Sequence, residues 1–294
     1  MSETIRVRAP ASSANLGPGF DCAACALDLW NELEVGPGEG VDVAGEGADE
    51  LPRGPEHLSL RAFALVAPLD GRRFRATNRI PLARGLGSSA AAIALGLVAG
   101  AEAAGRRLTA EELLAVGVGL EGHPDNLAAA LTGGVCLTWA QGGSHRVVRV
   151  AESLPLVPLA LVPSARVETA AARASLPATI SHADAAFSAG RAALLGAGLA
   201  SGDASLLAAA FADRLHEPFR AAAAPLLGAV RDRLPSGAVG ATLSGSGPTV
   251  IVWAEPGRAA SCAAELASRF SDERVLSLRV ADAGAGPVVE HSGA

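Results

Sequence analysis

The segment from residue 81 to residue 91, Pro-Leu-Ala-Arg-Gly-Leu-Gly-Ser-Ser-Ala-Ala, combines residue types that can hold a phosphate group. Gly85 and Gly87 let the backbone approach a ligand closely. The hydroxyls of Ser88 and Ser89 stand at the predicted start of a long, mostly apolar helix. The free N–H groups and the positive dipole end at such a start favour an anion. We therefore expect a phosphate to rest here; an ordinary serine cap after a glycine turn is the alternative.

Residues 10–21, Pro-Ala-Ser-Ser-Ala-Asn-Leu-Gly-Pro-Gly-Phe-Asp, form a second segment of small, polar and turn-forming residues, and we expect it to be a loop after the first strand. Asn15 and Asp21 offer an amide and a carboxylate to an alcohol or an amine. A plain surface turn would contain the same glycines and prolines, but Phe20 indicates that the segment folds inward.

Residues 121–126, Glu-Gly-His-Pro-Asp-Asn, place polar and helix-breaking residues between two predicted helices. Taken singly, Glu121 also fits a hydrated acid at a helix end, and Asp125 also fits a cap of the next helix. The fourth segment, Ser-Gly-Ser-Gly-Pro at 244–248, lies between two apolar runs and lacks the spacing of a hydrolase elbow, because Thr242 stands where glycine is needed. A backbone nest for an anion fits this loop better.

Lysine is absent from the 294 residues, which excludes a Walker-type loop, a protein-kinase lysine and a pyridoxal Schiff base. Phosphate chemistry in this chain must rely on backbone N–H groups, helix dipoles, arginine and metal. The formal charge of −6 with scattered arginines also argues against a nucleic-acid partner.

No run reaches the roughly 18 apolar residues that a membrane span needs, and the first residues lack a basic region and an apolar signal core. We therefore expect a cytoplasmic protein without a membrane partner. Cys22 and Cys25 have CxxC spacing, but neither Cys136 nor Cys262 has a close cysteine or histidine that would complete a zinc site. Cys22 and Cys25 are expected to be small buried side chains.

The predicted elements give an α+β fold. Strands are predicted at residues 4–9, 26–35, 41–44, 73–79, 135–139, from 157, on both sides of 244–248, and at 274–280. Helices are predicted at residues 57–69, 88–104, 109–121, 126–132, 168–175, 182–199, 203–214, 217–233 and 257–270. The chain is polar and rich in turn formers from 141 to 153, so we expect two domains, residues 1–155 and 156–294.

Taken together, the four segments resemble the GHMP small-molecule kinases. Three motifs of that family occur in order, at 10–21, 81–91 and 244–249, and span nearly the whole chain. The middle motif is common to the family. The long first motif and the His-Pro-Asp-Asn run at 123–126 resemble the branch that phosphorylates L-homoserine, and residues 167–177 and 213–220 look like its substrate-binding stretches.

The resemblance implies a fold with an N-terminal ribosomal-protein-S5-like domain and a C-terminal ferredoxin-like domain. It also implies direct in-line transfer of a phosphoryl group from ATP, with Mg²⁺, to the hydroxyl of homoserine in threonine biosynthesis. A homodimer is compatible with it.

The resemblance further implies roles for individual residues. The substrate would meet Asn15, Asp21, His123, Asp125, Thr169, Arg173 and Arg220. Of these, Thr169 and the two arginines would hold its carboxylate, because a guanidinium pairs a carboxylate bidentately. ATP would lie on Pro81, Leu82, Ala83, Arg84, Gly85, Leu86, Gly87, Ser88, Ser89, Ala90 and Ala91. Ser89 and Glu121 would hold Mg²⁺, and Asn126 would orient the hydroxyl. The active-site loop would be Ser244, Gly245, Ser246 and Gly247.

Three alternatives are open. Another GHMP kinase, acting on a sugar or an isoprenoid precursor, would not need two arginines and Asp21. A dinucleotide-binding oxidoreductase would match the loose GxGxxA pattern ending at Ala90, but it needs a buried parallel strand where Pro81 and Arg84 stand. A non-catalytic relative would lack a phosphate-loop serine or Glu121, and both are present.

Overall fold

The computed structural model describes residues 4–288, which form two sheets with helices packed on them. The strands within this range are β1 (Ile5–Asn15), β2 (Gly19–Pro37), β3 (Val41–Gly45), β4 (Arg72–Asn78), β5 (Val135–Gln141), β6 (Ser144–Ala151), β7 (Val157–Val162), β8 (Ala238–Leu243), β9 (Val250–Ala254), β10 (Arg274–Ser277) and β11 (Gly286–Pro287). The helices are α1 (Leu58–Ala64), α2 (Ser88–Ala103), α3 (Ala110–Glu121), α4 (Pro124–Thr132), α5 (Thr169–Ala174), α6 (His182–Ser201), α7 (Ala204–Ala210), α8 (Glu217–Arg220), α9 (Pro225–Arg231) and α10 (Ala259–Arg269). The predicted α+β class is confirmed.

The larger sheet has the strand order β11-β1-β2-β4-β3, with β5 paired to β2 and β6 to β5. Among the described strands, the only parallel pair is β3 with β4. A dinucleotide-binding oxidoreductase needs a parallel sheet with the glycine loop directly after a central strand. That alternative is therefore wrong.

The first motif is a β-hairpin rather than the loop that we expected. β1 continues to Asn15, and β2 begins at Gly19 and pairs with it. Its strands are built from Ala, Ser and Cys buried on both faces, so the alternation by which a strand is usually recognised is missing. The turn places Asn15, Leu16 and Gly17 at φ 72°, 46° and 79°, and Asp21 at φ 56°. These left-handed backbone conformations determine the directions in which the Asn15 and Asp21 side chains leave the hairpin.

Helix α2 is buried along most of its length, as its apolar sequence predicts. A capping box opens α3: the Thr109 side chain accepts from the Glu112 N–H, and the Glu112 carboxylate accepts from the Thr109 N–H. The predicted helix at 217–233 is instead two short helices, α8 and α9, separated by residues 221–224.

The smaller sheet, β10-β7-β9-β8, is antiparallel throughout, and its hairpin β8–β9 carries the 244–248 loop as predicted. Strands up to Ala151 belong to the larger sheet, and β7 at Val157 opens the smaller one. Residues 278–288 then return to the larger sheet: the Ala281 N–H donates to Ala26 O at 3.0 Å, and β11 pairs with β1. The boundary between two domains at residue 155 remains a prediction, and it can apply only to the residues before 278, because residues 278–288 pack on the larger sheet.

Cys25 is buried, as expected, whereas Cys22, also expected to be buried, is half-buried; Cys136 and Cys262 are buried too. Burial and the nearby carboxylates of Asp125 and Asp21 raise the pKa of the Cys22 thiol. No helix within residues 4–288 is long and apolar enough to cross a bilayer.

Close packing of α1 on α2 generates a first prediction. A Cβ added at Gly96 in α2 would lie 2.1 Å from the Ser59 carbonyl oxygen. We expect Gly96→Ala to destabilise the fold by about 1–3 kcal/mol, because the backbones of the two helices would have to separate. Urea unfolding midpoints measure the change.

Gly190→Ala in α6 is the matched control. It is also a glycine inside a helix, but its added Cβ would meet nothing within 4 Å. Alanine should there stabilise the helix by about 0.5–1 kcal/mol. A Gly96→Ala protein as stable as the parent would contradict the close helix contact.

Candidate active site

An open cleft with about 680 Å³ of space lies where the four sequence segments meet. The predicted residues that line it are Asn15, Asp21, Pro81, Ala83, Arg84, Gly85, Leu86, Gly87, Ser88, Ser89, Glu121, His123, Asp125, Asn126, Thr169, Arg173, Arg220, Gly245 and Ser246. The predicted residues outside this lining are Leu82, Ala90, Ala91, Ser244 and Gly247. Ala14 and Val167 also line the cleft. The structure thus brings together segments more than 200 residues apart.

The start of α2 forms one wall of the cleft. Gly87 is its N-cap, with φ 67°, and the N–H of Ala91 makes the bond to the Gly87 carbonyl that opens the helix. The N–H groups of Ser88, Ser89 and Ala90 precede that bond and lack helical acceptors. They are the donors that a phosphate requires. The side chains of Ala90 and Ala91 are fully buried, so those two residues can contribute backbone and packing only.

Arg84 has a different place from the nucleotide contact expected of it. Its guanidinium donates to the carbonyls of Leu82, Pro163 and Ser164, each at 2.9 Å. Three donors are therefore used to brace the glycine loop against the chain that follows β7. The physical reason is that a guanidinium can satisfy several carbonyls that no backbone N–H reaches.

The 244–248 loop does not form the anion nest that we expected. The Gly245 N–H donates to Ala14 O at 3.1 Å, and the Gly247 N–H donates to Ser244 O at 2.8 Å. The Ser244 hydroxyl is buried and donates to Gly85 O at 2.6 Å. This loop binds the other segments instead: its Gly245 carbonyl accepts from Asn15 and Arg220, and its Ser246 hydroxyl lies 3.3 Å from Thr169 Oγ1.

Ser89 and Glu121 meet at the mouth of the cleft. The Ser89 hydroxyl donates to Glu121 Oε2 at 2.9 Å. Burial, with a smaller contribution from the charge of Asp125, raises the pKa of Glu121 to about 7. Within the described residues no group of three His, Cys, Asp or Glu side chains could hold a metal ion. The pair still fits Mg²⁺, which takes one or two carboxylates and fills its shell with water and phosphate oxygens.

Asp125 and Asn126 begin α4 at the floor of the cleft. Asp125 is buried and accepts from the Asn126 N–H at 2.7 Å, and burial raises the pKa of its carboxyl to about 6. Asn126 Oδ1 accepts from the Ser12 hydroxyl at 2.9 Å. Because that bond uses the amide oxygen, the Nδ2 donors of Asn126 are left for a ligand. His123, the N-cap residue of α4, does not cap the helix with its side chain, and burial lowers the pKa of its imidazole.

Asp21 and Arg173 are bound to each other. The two guanidinium Nη atoms of Arg173 lie 3.0 and 2.7 Å from the two Asp21 oxygens, a bidentate pair. From the sequence, we expected Asp21 to bind the amine of a ligand and Arg173 to bind its carboxylate. Asn15 is also satisfied within the protein: its Oδ1 accepts from the Asp21 N–H and its Nδ2 donates to Gly245 O. Asn15 therefore shapes the wall instead of offering a free amide.

Arg220 is almost completely buried, and burial lowers the pKa of its guanidinium. Its Nη1 lies 3.0 Å from Gly245 O and 3.1 Å from His216 Nδ1. The Nε atoms of both Arg173 and Arg220 are buried and have no partner among the described residues. A buried donor without an acceptor is costly, so the two arginines indicate the site of an anionic ligand.

Three residues that contact the cleft lining were given no individual role from the sequence. Ser12 orients Asn126, and Phe20 lies under both cleft arginines, whose Cζ atoms are 5.3 and 5.4 Å from its ring centre. His216 stacks on Phe20 at 5.0 Å. A usable signal existed for His216, because it precedes Arg220 by four residues, the spacing that puts two side chains on one helix face.

Comparison with known proteins agrees with this geometry. The family described as GHMP kinases N terminal domain matches residues 57–134, and the family described as GHMP kinases C terminal matches residues 185–272. Together these matches cover more than half of the chain.

Homoserine kinase from Streptomyces coelicolor is 44% identical over 265 residues, which cover 85% of this chain and 84% of that protein. Homoserine kinase from Deinococcus radiodurans is 40% identical over 298 residues, covering 97% of both. The crystal structure of homoserine kinase from Cytophaga hutchinsonii superimposes with a TM-score of 0.87 at 26% identity, over 98% of each chain. By sequence and by fold, this chain belongs to the homoserine kinases of the GHMP kinase family.

Proposed function

We propose that this chain transfers the γ-phosphoryl group of ATP to the hydroxyl of L-homoserine, forming O-phospho-L-homoserine and ADP. The observation that carries the proposal is the pair of cleft arginines, each with a buried and unpartnered Nε donor, in the same cleft as a helix start with free N–H groups. The arginines suit the carboxylate of an amino acid, and the helix start suits the phosphates of a nucleotide. The homoserine kinases that cover nearly the whole chain support the same activity.

The amino-acid substrate would take the place of each partner in the Asp21–Arg173 ion pair. Its carboxylate would take guanidinium donors of Arg220 and Arg173, with the Thr169 hydroxyl nearby, and its amine would take the Asp21 carboxylate, with His123. A zwitterionic amino acid carries one charge of each sign, so it can compensate both Asp21 and Arg173 when it separates them. A ligand with only one charge would leave the other member of the pair without a counter-charge, which is less favourable.

The hydroxyl of the substrate would lie by Asn126, whose Nδ2 donors remain free, with Asp125 beside it. Its oxygen attacks the γ-phosphorus as the bond to the β-phosphate oxygen breaks. Because the transition state of phosphoryl transfer is loose, the hydroxyl proton needs no strong base: it leaves late, to an oxygen of the transferred phosphoryl group, and positioning provides most of the catalysis. Asn126 is thus proposed to orient the nucleophile.

Ser89 and Glu121 would hold Mg²⁺ beside the phosphates. When bound, the ion neutralises charge on the phosphate oxygens. The N–H groups that open α2 would hold the phosphates from the other side.

The remaining expectations are proposals of the same kind. The chain would function in the cytoplasm, in threonine biosynthesis, with no nucleic-acid or membrane partner. Its two domains would divide at residue 155. For the oligomeric state we propose a homodimer, which the mass of the particle in solution tests.

Substrate choice gives the second prediction. Arg220→Ala should raise the KM for homoserine by roughly tens to several hundred-fold, since a buried charge-assisted pair contributes about 2–4 kcal/mol. The KM for ATP should stay nearly constant. 3-Aminopropanol, which lacks the carboxylate, should be a poor substrate for the parent and should lose little more on the variant. Coupled ADP release measures all three.

Arg214→Ala is the matched control, because Arg214 belongs to the same chain segment but is exposed and contacts Asp184 and Phe187. It should change neither KM. If Arg220→Ala harms homoserine and 3-aminopropanol equally, the arginine does not bind the carboxylate.

Metal binding gives the third prediction. Glu121→Gln should raise the Mg²⁺ concentration required for half-maximal activity by about tenfold or more, because the amide removes the only charged member of the pair. Glu111→Gln is the control on the same helix, since Glu111 lies in the first turn of α3 and pairs with Arg146. An unchanged Mg²⁺ titration for Glu121→Gln would refute its role as a ligand.

A further inference from the structure

His216 is a fully buried histidine beside the cleft. It stands at the N-cap of α8, and the Asp213 carboxylate accepts from the N–H groups of residues 215, 216 and 217, which fixes the turn around it. One face of its ring stacks on Phe20, with 25° between the planes. The imidazole thus has a single orientation, defined by the backbone below it and by the first motif beside it.

The hydrogen bonds of His216 determine which ring nitrogen carries the proton. Nε2 lies 2.8 Å from the carbonyl oxygen of Gly17, which can only accept, so Nε2 is the donor. In a neutral ring Nδ1 is then an acceptor. Arg220 Nη1 lies 3.1 Å from Nδ1, and a guanidinium can only donate. Burial lowers the pKa of His216 to about 4, so the ring is neutral near pH 7.

We infer that His216 is a positioning residue for substrate recognition, which holds the Arg220 guanidinium through Nδ1 so that Arg220 meets the substrate carboxylate. The inference rests on the proposed function, in which Arg220 binds that carboxylate. His216 and the Gly245 carbonyl together engage Nη1 of Arg220 and leave the Nε donor for the ligand. Through Nε2, the same ring ties the arginine to the hairpin turn at Gly17.

Nδ1 of His216 is an acceptor without charge, and this distinguishes it from a carboxylate at the same position. A carboxylate at Nδ1 would pair with the guanidinium and compete with the substrate for it. An imidazole nitrogen orients the donor and leaves the positive charge of Arg220 uncompensated. A purely structural histidine would need only the bond to Gly17 and the stack on Phe20. The two roles therefore depend on different ring nitrogens, and variants can separate them.

Two amides provide the test. His216→Asn places an oxygen near the position of Nδ1 and loses the bond to Gly17. His216→Gln reaches the Gly17 carbonyl with its amide nitrogen and loses the acceptor for Arg220. We expect His216→Gln to raise the KM for homoserine about tenfold or more, as loss of a hydrogen bond to a charged group does. His216→Asn should raise it less than threefold.

Neither variant should change the KM for ATP, or kcat/KM for 3-aminopropanol, by more than about twofold, because the second substrate has no carboxylate. If His216→Asn costs homoserine as much as His216→Gln, the bond to Gly17 is what matters and the inference is overturned. Equal losses on homoserine and 3-aminopropanol overturn it as well.

Arg220→Ala, measured in the same assays, distinguishes failure of this inference from failure of the proposed function on which it rests. If that variant fails to discriminate between the two substrates, the proposed carboxylate site is wrong. If it discriminates while both His216 variants behave like the parent, only the role of His216 is wrong.

A measurement on the unaltered protein keeps the test decisive even if a variant does not fold. Nitrogen-15 NMR of the His216 ring at neutral pH should show the neutral tautomer with the proton on Nε2. A ring protonated on Nδ1 cannot accept from Arg220, and that result would overturn the inference.

Discussion

The active cleft depends on a closed triangle of hydrogen bonds among three distant segments. The Ser12 N–H donates to Leu86 O, which joins the first hairpin to the glycine loop. The Gly245 N–H donates to Ala14 O, which joins the third motif to the first, and the Ser244 hydroxyl closes the triangle at a carbonyl of the glycine loop. These bonds involve backbone atoms, so the three segments approach more closely than side chains would permit. Glycine is required for that approach: a Cβ at position 85 would lie 2.2 Å from the Ser244 carbonyl oxygen.

This tight frame lets the cleft hold several charges that burial would otherwise disfavour. Asp125 and Glu121 are carboxyls with raised pKa values, and Arg220 is a buried cation. Asp21 and Arg173 compensate each other. A rigid backbone keeps these groups from relaxing towards solvent, so their unmet hydrogen-bonding capacity is directed at the reactants. Such preorganised polar groups are a main source of enzymatic rate enhancement.

The sequence predicted the fold class and the segments that meet in the cleft, but not the contacts within the cleft. Motif residues such as Ser89 and Arg220 are recognisable because phosphates and carboxylates restrict which side chains can bind them. The side chain with which a site residue pairs cannot be recognised from the sequence in the same way. The pairing of Asp21 with Arg173 joins residues 152 positions apart, and only the folded chain shows it. Strand β6 was missed because it is an edge strand with many exposed polar residues. Strand β11 was missed because two residues are too few for any periodic pattern.

The return of residues 278–288 to the larger sheet has a consequence for the order of events at the ribosome. β1 is an early strand, yet the Val7–Arg8 part of one of its edges pairs with β11, near the end of the described chain. During synthesis that edge remains open while the whole smaller sheet is made, on the order of ten seconds at usual elongation rates. An open edge is a template for pairing with other chains. The nascent protein therefore passes through an interval in which its first half can associate with a neighbour, and the interval ends when the last segment arrives.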